Sequence, residues 1–124
     1  MAKIVIAEDE PDILELIAYT LRFAGHEVFT AENGQAALEL TRSEHPDLSL
    51  LDIRMPVMNG FDACRQIKLD AETADIPVVF LSAKGQKHEI AQGYEAGAEE
   101  YLLKPFSPAQ LIERIGFILA KYGK

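Results

Sequence analysis

The sequence predicts an α/β fold, an open parallel sheet covered by helices on both faces, and three observations predict it. Short β-rich runs alternate with longer stretches of helical period, five of each along 124 residues. The first, third and fourth runs are apolar without strict alternation, as parallel strands buried on both faces are. The intervals have ordinary length for right-handed crossovers. Parallel strands would bring their carboxyl ends to one edge, so acids far apart in sequence would gather in a single cleft.

The first strand is expected at residues 4–7, Ile4-Val5-Ile6-Ala7, and ends at Glu8 and Asp9. Pro11 suits a first helical turn, where its missing N–H is no loss. Ile13, Leu16, Ile17 and Leu21 then recur at helical spacing, giving that helix a face to bury. Gly25 stands where the helix needs a left-handed C-terminal residue. Glu27–Ala31 and Leu48–Asp52 are the second and third strands, with helical period between them. Phe61, Cys64 and Ile67 share a face of the next helix, and residues 78–82 form the fourth strand. The fourth helix, around residues 89–96, carries Gly93 and few large apolar residues, so it is expected to be marginally stable and a moving part. Gly97 ends it. After a fifth strand at residues 101–103, Ser107-Pro108-Ala109-Gln110 reads as a capping box opening a helix with Leu111, Ile115 and Ile118 inward. There is no internal repeat, low-complexity tract or linker.

With 48% hydrophobic residues, the chain has material for one core and length for one domain, residues 1–124. The single Cys64 cannot form an internal disulfide, which points to a cytoplasmic location. No apolar run approaches the roughly 20 residues of a membrane span. Met1-Ala2-Lys3 leads into a strand rather than a signal-peptide core, so a soluble, unprocessed protein is expected. A net charge of −8 disfavours direct nucleic-acid binding.

Chemistry-bearing residues fall at the strand ends: Glu8 and Asp9 after the first, Asp52 at the third, Ser82 at the fourth, Lys104 at the fifth. Three carboxylates without histidine or cysteine make a hard oxygen site, favouring magnesium or manganese over zinc. Lys104 would add a fixed positive charge, and Ser82 a hydroxyl able to donate to a phosphoryl oxygen. Taken singly, each has a plain explanation: an acid after a strand is commonly a solvated loop residue or helix cap, and a lysine before proline is commonly surface. Their joint placement carries the argument.

Glu8-Asp9-Glu10, Leu51-Asp52-Ile53-Arg54-Met55-Pro56-Val57-Met58-Asn59-Gly60, Leu81-Ser82-Ala83 and Tyr101-Leu102-Leu103-Lys104-Pro105-Phe106 closely resemble the receiver domain of two-component response regulators. The resemblance spans essentially the whole chain. It implies a flavodoxin-like doubly wound sheet, strand order 2-1-3-4-5, with the crevice between the first and third strands. It implies that Asp52 is the phosphoacceptor, that Asp9, Asp52 and the Arg54 backbone carbonyl bind magnesium (manganese able to substitute), and that Glu8 assists directly or through water. Ser82 and Lys104 would contact the phosphoryl group, and the Lys104-Pro105 bond would be cis. Two positions depart from the commonest pattern, Glu8 for aspartate and Ser82 for threonine.

The implied activity is in-line transfer from a phosphohistidine on a sensor histidine kinase or phosphotransfer protein, followed by hydrolysis of the acyl phosphate. Arg54 and Lys84 are expected to flank the attacking water and influence lifetime. Ser82 and Tyr101 are the expected switch pair, reshaping the face of the fourth helix, fifth strand and fifth helix for a downstream target or output domain. A stand-alone receiver and a piece of a longer regulator both fit.

Competing functions meet specific obstacles. An aspartyl phosphatase would want a second acid where Arg54 stands. A nucleotide hydrolase would want a glycine-rich, lysine-bearing loop where Glu8-Asp9-Glu10-Pro11 stands. A flavin carrier would want hydroxyls and glycines there. An adaptor that keeps the fold without phosphorylation stays open, against the complete set of acid, serine and lysine. His26, His45 and His88 lack ligand spacing, Cys64 reads as core, and Met55 and Met58 as packing under the loop.

Overall fold

Along the central strands successive side chains point to opposite faces, and both faces are apolar, which is why no alternation shows in the sequence. The computed structural model describes residues 2–83 and 87–123. The start at Met1, the role expected of Lys84 and the tail residue Lys124 fall outside the described residues. The elements in chain order are β1 (Lys3–Ala7), α1 (Pro11–Phe23), β2 (Glu27–Ala31), α2 (Gly34–Glu44), β3 (Leu48–Asp52), α3 (Gly60–Leu69), β4 (Val78–Ala83), α4 (Lys87–Glu95), β5 (Glu100–Lys104) and α5 (Pro108–Tyr122). All strand pairs are parallel, in the order β2-β1-β3-β4-β5, the flavodoxin-like arrangement expected.

Ile4, Ile6, Leu48, Leu50, Val79 and Leu81 meet Leu14, Ile17 and Leu21 of α1 and Leu111, Ile115 and Ile118 of α5 on one face. Val5, Ala7, Leu51, Val78 and Phe80 meet Ala37 and Leu38 of α2 and Ala63, Cys64 and Ile67 of α3 on the other. Each such leucine or isoleucine, fully buried, contributes about 1.5–3 kcal/mol. Among the described residues no helix is long and apolar enough to cross a membrane.

The buried stripe of α1 differs from the expected one. Leu14, Ile17, Ala18 and Leu21 are buried, whereas Leu16 is 51% exposed. Leu16 lies about 140° round the helix from Leu21, so the two cannot share a face. The punctuation holds: Pro11 opens α1, and Gly25 and Gly97 take the left-handed conformation at φ 98° and 107°. The capping box at Ser107 has both arms, Ser107 Oγ accepting from Gln110 N–H and Gln110 Oε1 accepting from Ser107 N–H.

Gly93 has a packing reason the sequence did not disclose. A Cβ there would stand 2.8 Å from Phe80 Cδ2, so its absence lets α4 lie against the sheet. The buried residues of α4 are Glu89 and Gly93, neither a large apolar side chain. Cys64 is buried in the core, which pushes its thiol up to about 12 and removes it from thiolate chemistry. His26 Nδ1 accepts from Ala2 N–H, His45 closes α2 in a left-handed conformation, and His88 is exposed.

Candidate functional site

Four of the five strands deliver their residues to one edge because the ladder registers align their carboxyl ends. Ala7 pairs with Leu51, Asp52 with Leu81, and Ala83 with Lys104. Glu8 and Asp9 leave β1 there, Asp52 and Lys104 are the last residues of their strands, and Ser82 is the penultimate residue of β4. Asp9, Glu10, Asp52, Arg54, Glu89 and Lys104 are among the residues lining an open cleft of about 360 Å³ at this edge, room for a phosphoryl group and its ligands.

Lys104 organises the acids. Its Nζ lies 3.0 Å from Glu8 Oε1 and 3.2 Å from Asp52 Oδ1. Glu8 is 1% exposed, and its Oε2 also accepts from Glu10 N–H. Burial opposes its charge, but Lys104 and that N–H outweigh burial and hold Glu8 below the ordinary glutamate range. Asp52 goes the other way: burial and the negative Glu8 raise it to about 6, against the pull of Lys104. Burial and Glu8 raise Asp9 as well. For Lys104 burial works against the charge, yet Glu8 and Asp52 lift it above the ordinary lysine value, so it remains an ammonium.

Glu8, Asp9 and Asp52 each offer a carboxylate oxygen within 4.8 Å of the others. All three donors are hard oxygens, a set that fits magnesium or manganese. Asp9 is the exposed member, while Glu8 is committed to Lys104 and the Glu10 N–H. A cation would relieve the repulsion that lifts Asp9 and Asp52.

The loop after Asp52 is shaped by backbone contacts. Met58 N–H donates to Pro56 O at 2.7 Å across Val57, whose φ of 69° marks the strained γ-turn of positive φ. Met55 and Met58 pack beneath this loop, as expected. Gly60 and Gly34, at the first positions of α3 and α2, sit where a Cβ would run into the backbone of Asp52 and Met58. Asn59 caps α3, accepting from Asp62 N–H. No motif reading had singled out Val57 by its conformation; a β-branched residue beside Met58-Asn59-Gly60 gives no hint of positive φ.

Arg54 lines the cleft, and its guanidinium is paired there. Nε and Nη2 both donate to Glu89 Oε2 on α4, at 3.2 and 3.1 Å. Glu89 was missed by sequence reasoning, because a pair 35 positions apart leaves no spacing signal. Ser82 is buried, and together with Tyr101, Glu89, Gly93 and Phe80 it lines a narrow crevice beneath α4. Tyr101 is half-buried, its ring edge-on to Tyr94 with centroids 5.6 Å apart. The Lys104-Pro105 peptide is cis.

The response regulator receiver domain model matches residues 4–116. The chain is 42% identical over 120 residues to the phosphate regulon transcriptional regulatory protein PhoB of Pseudomonas aeruginosa, covering 97% of this chain and 52% of that protein. It thus spans about half the length of that relative. It is likewise 42% identical over 120 residues to protein PilH of the same organism, covering 97% of this chain and 99% of that one. A putative response regulator from Chloroflexus aurantiacus superposes with a TM-score of 0.90 at 34% identity, over 96% of this chain and 98% of the other. Fold, cleft and sequence agree, and the chain belongs to the receiver domain family of two-component response regulators.

Proposed function

We propose that this receiver, one domain over residues 1–124, is a phosphorylation-dependent switch with Asp52 as phosphoacceptor. Receiver domains are signalling domains that work between histidine kinases and downstream targets. The observation that carries the residue assignment is the Lys104 ammonium bridging Glu8 and Asp52 at the head of a cleft that also holds Asp9. In the reaction, an Asp52 carboxylate oxygen forms a bond to phosphorus as the donor's phosphohistidine N–P bond breaks in line. The imidazole leaves with that electron pair. Lys104 offsets charge on the phosphoryl oxygens, and Ser82 donates its hydroxyl to one of them. Because the protein supplies positioning and charge, small phosphodonors can react as well. In the reset, water adds to phosphorus, the Asp52–phosphorus bond breaks, and inorganic phosphate leaves. Asp9, Asp52 and the Arg54 carbonyl, with Glu8 assisting, would hold magnesium, which supplies positive charge beside the transferring phosphoryl group.

The switch runs through the crevice beneath α4. Ser82 moving toward the phosphoryl group makes room there, and Tyr101 turns inward to fill it, reshaping the α4, β5 and α5 face for a protein target or output domain. The partners are a sensor histidine kinase or histidine phosphotransfer protein on one side and that target on the other. The domain acts in the cytoplasm, touching neither nucleic acid nor membrane directly, and is not an enzyme with a turned-over substrate.

Intact mass after acetyl phosphate treatment tests this reading. One phosphate is expected on the parent in magnesium, and none on Asp52→Asn or in chelator. An unlabelled parent would make the chain a scaffold that keeps the fold without the chemistry.

A further inference from the structure

Arg54 and Glu89 form an ion pair with unequal ends. The Arg54 side chain is 80% exposed, while that of Glu89 is 9% exposed. The carboxylate has therefore left water, and both Nε and Nη2 of Arg54 converge on its Oε2 to compensate. Removing the guanidinium would strand a buried anion. The two ends also belong to different parts of the molecule. Arg54 follows Asp52 by two residues, and Glu89 sits in the first turn of α4. No other charged residue of α4 is buried: the rest of its inward face is Gly93, the half-buried Ile90 and the edge of Tyr94 against Tyr101. Glu89 lines both the acidic cleft and the crevice beneath α4 that Ser82 and Tyr101 share.

We infer that the Arg54–Glu89 pair is a charge-exchange latch, in which a phosphoryl group on Asp52 takes the Arg54 guanidinium from Glu89 and so releases the start of α4. The inference rests on the reading of Asp52 as the phosphoacceptor. A phosphoryl dianion carries more charge than the Glu89 carboxylate and offers Arg54 two oxygens for a bidentate pair, where Nε and Nη2 now share the single Oε2 of Glu89. Once Arg54 turns, the Glu89 carboxylate regains compensation by moving into water, which carries the first turn of α4 outward. Ser82 and Tyr101 act on this helix from beneath, and the latch acts at its N-terminal end. Coupling is reciprocal: a protein without the Glu89 charge should accept the phosphoryl group more readily, having no cation to surrender and one fewer anion beside the cleft. Arg54 and Glu89 are thus positioning residues for the switch.

The test compares the parent with Glu89→Gln, Arg54→Lys and Arg54→Ala by beryllofluoride affinity in magnesium and by hydrogen exchange of the α4 amides. In the parent, beryllofluoride should accelerate α4 exchange. Glu89→Gln should show that faster exchange already unloaded and bind beryllofluoride about twofold to fivefold more tightly, the range expected for a partly exposed pair. Arg54→Ala should also loosen unloaded α4 but bind beryllofluoride more weakly, and Arg54→Lys should recover part of both properties. A merely structural pair would move both truncations in the same direction. Parent-like affinity and exchange in Glu89→Gln overturns the latch and leaves the receiver reading standing. Should Glu89→Gln fail to fold, Arg54→Ala decides by itself, since parent-like α4 exchange in it overturns the latch. A parent that binds no beryllofluoride overturns the latch and the receiver reading together.

Discussion

At the scale of single residues, the site is assembled from groups whose charges are uncomfortable when the protein is at rest. Asp52 is raised to about 6 by burial and by the negative Glu8, from an ordinary value of 3.8. A carboxyl with a raised folded value stabilises the fold when protonated, and that stabilisation is lost as pH rises through about 6. In chelator the parent should gain about 1 kcal/mol from this group between pH 7.5 and pH 5, because folded Asp52 takes up a proton that the unfolded chain does not. Glu8, held low, stays ionised in the fold across that window and works weakly in the opposite sense near pH 5, where the unfolded glutamate begins to protonate. His26 likewise opposes Asp52, since burial holds it below the ordinary histidine value, but it is present in parent and variant alike. Urea unfolding of the parent and Asp52→Asn at both pH values isolates the Asp52 share. If the two proteins respond identically to pH, the carboxylate is not strained as described. The acids themselves were legible in the sequence because each ends an apolar strand, and parallel strands must bring such ends together. The strain was not, since it depends on how deeply the folded sheet edge buries Asp52 and on how close it brings Glu8.

At the scale of elements, α4 shows what sequence patterning leaves out. Few large apolar residues and a glycine give the expectation of a weakly held helix, and its buried residues are Glu89 and Gly93. Yet Gly93 is also a fitted contact, with the Phe80 ring where a Cβ would go. Gly93→Ala sets a gain in helix propensity of about 1 kcal/mol against overpacking of about 1–3 kcal/mol. Overpacking should win, because the obstacle is an aromatic ring in the core rather than a flexible side-chain end. We expect a net loss of about 1 kcal/mol in urea unfolding, with α4 amides exchanging faster than in the parent. A variant as stable as the parent with unchanged α4 protection would show that Phe80 yields freely. In α1 the patterning erred at one position, because Leu16 satisfies local spacing yet faces water, while Ile17 and Leu21 are in the core with Leu14 and Ile13 packs against it. Local periodicity offers several faces, and packing chooses one.

At the scale of the whole molecule, the two ends of the sheet carry opposite kinds of electrostatics. The carboxyl end gathers Glu8, Asp9 and Asp52 around one lysine and is poised for a ligand. At the other end Lys68 Nζ donates to Ala74 O at 3.1 Å, Ile76 O at 2.7 Å and Glu99 Oε2 at 2.7 Å, and Glu99 Oε1 accepts from Val78 N–H. That knot ties α3, the turn before β4 and the entry to β5 together with every group partnered. Nothing in the sequence flagged it, since Lys68 and Glu99 stand 31 residues apart and each looks like an ordinary surface charge. Stability and switching should therefore be separable. Lys68→Met keeps the aliphatic stem but strands two carbonyls and a carboxylate, so it should cost about 2–3 kcal/mol in urea unfolding. Asp52 labelling by acetyl phosphate, measured where both proteins are folded, should match the parent in rate and extent, because the lysine touches nothing near the cleft. Slower labelling in the folded variant would mean that the knot and the cleft are mechanically linked through β4, the strand that begins at one and ends at the other.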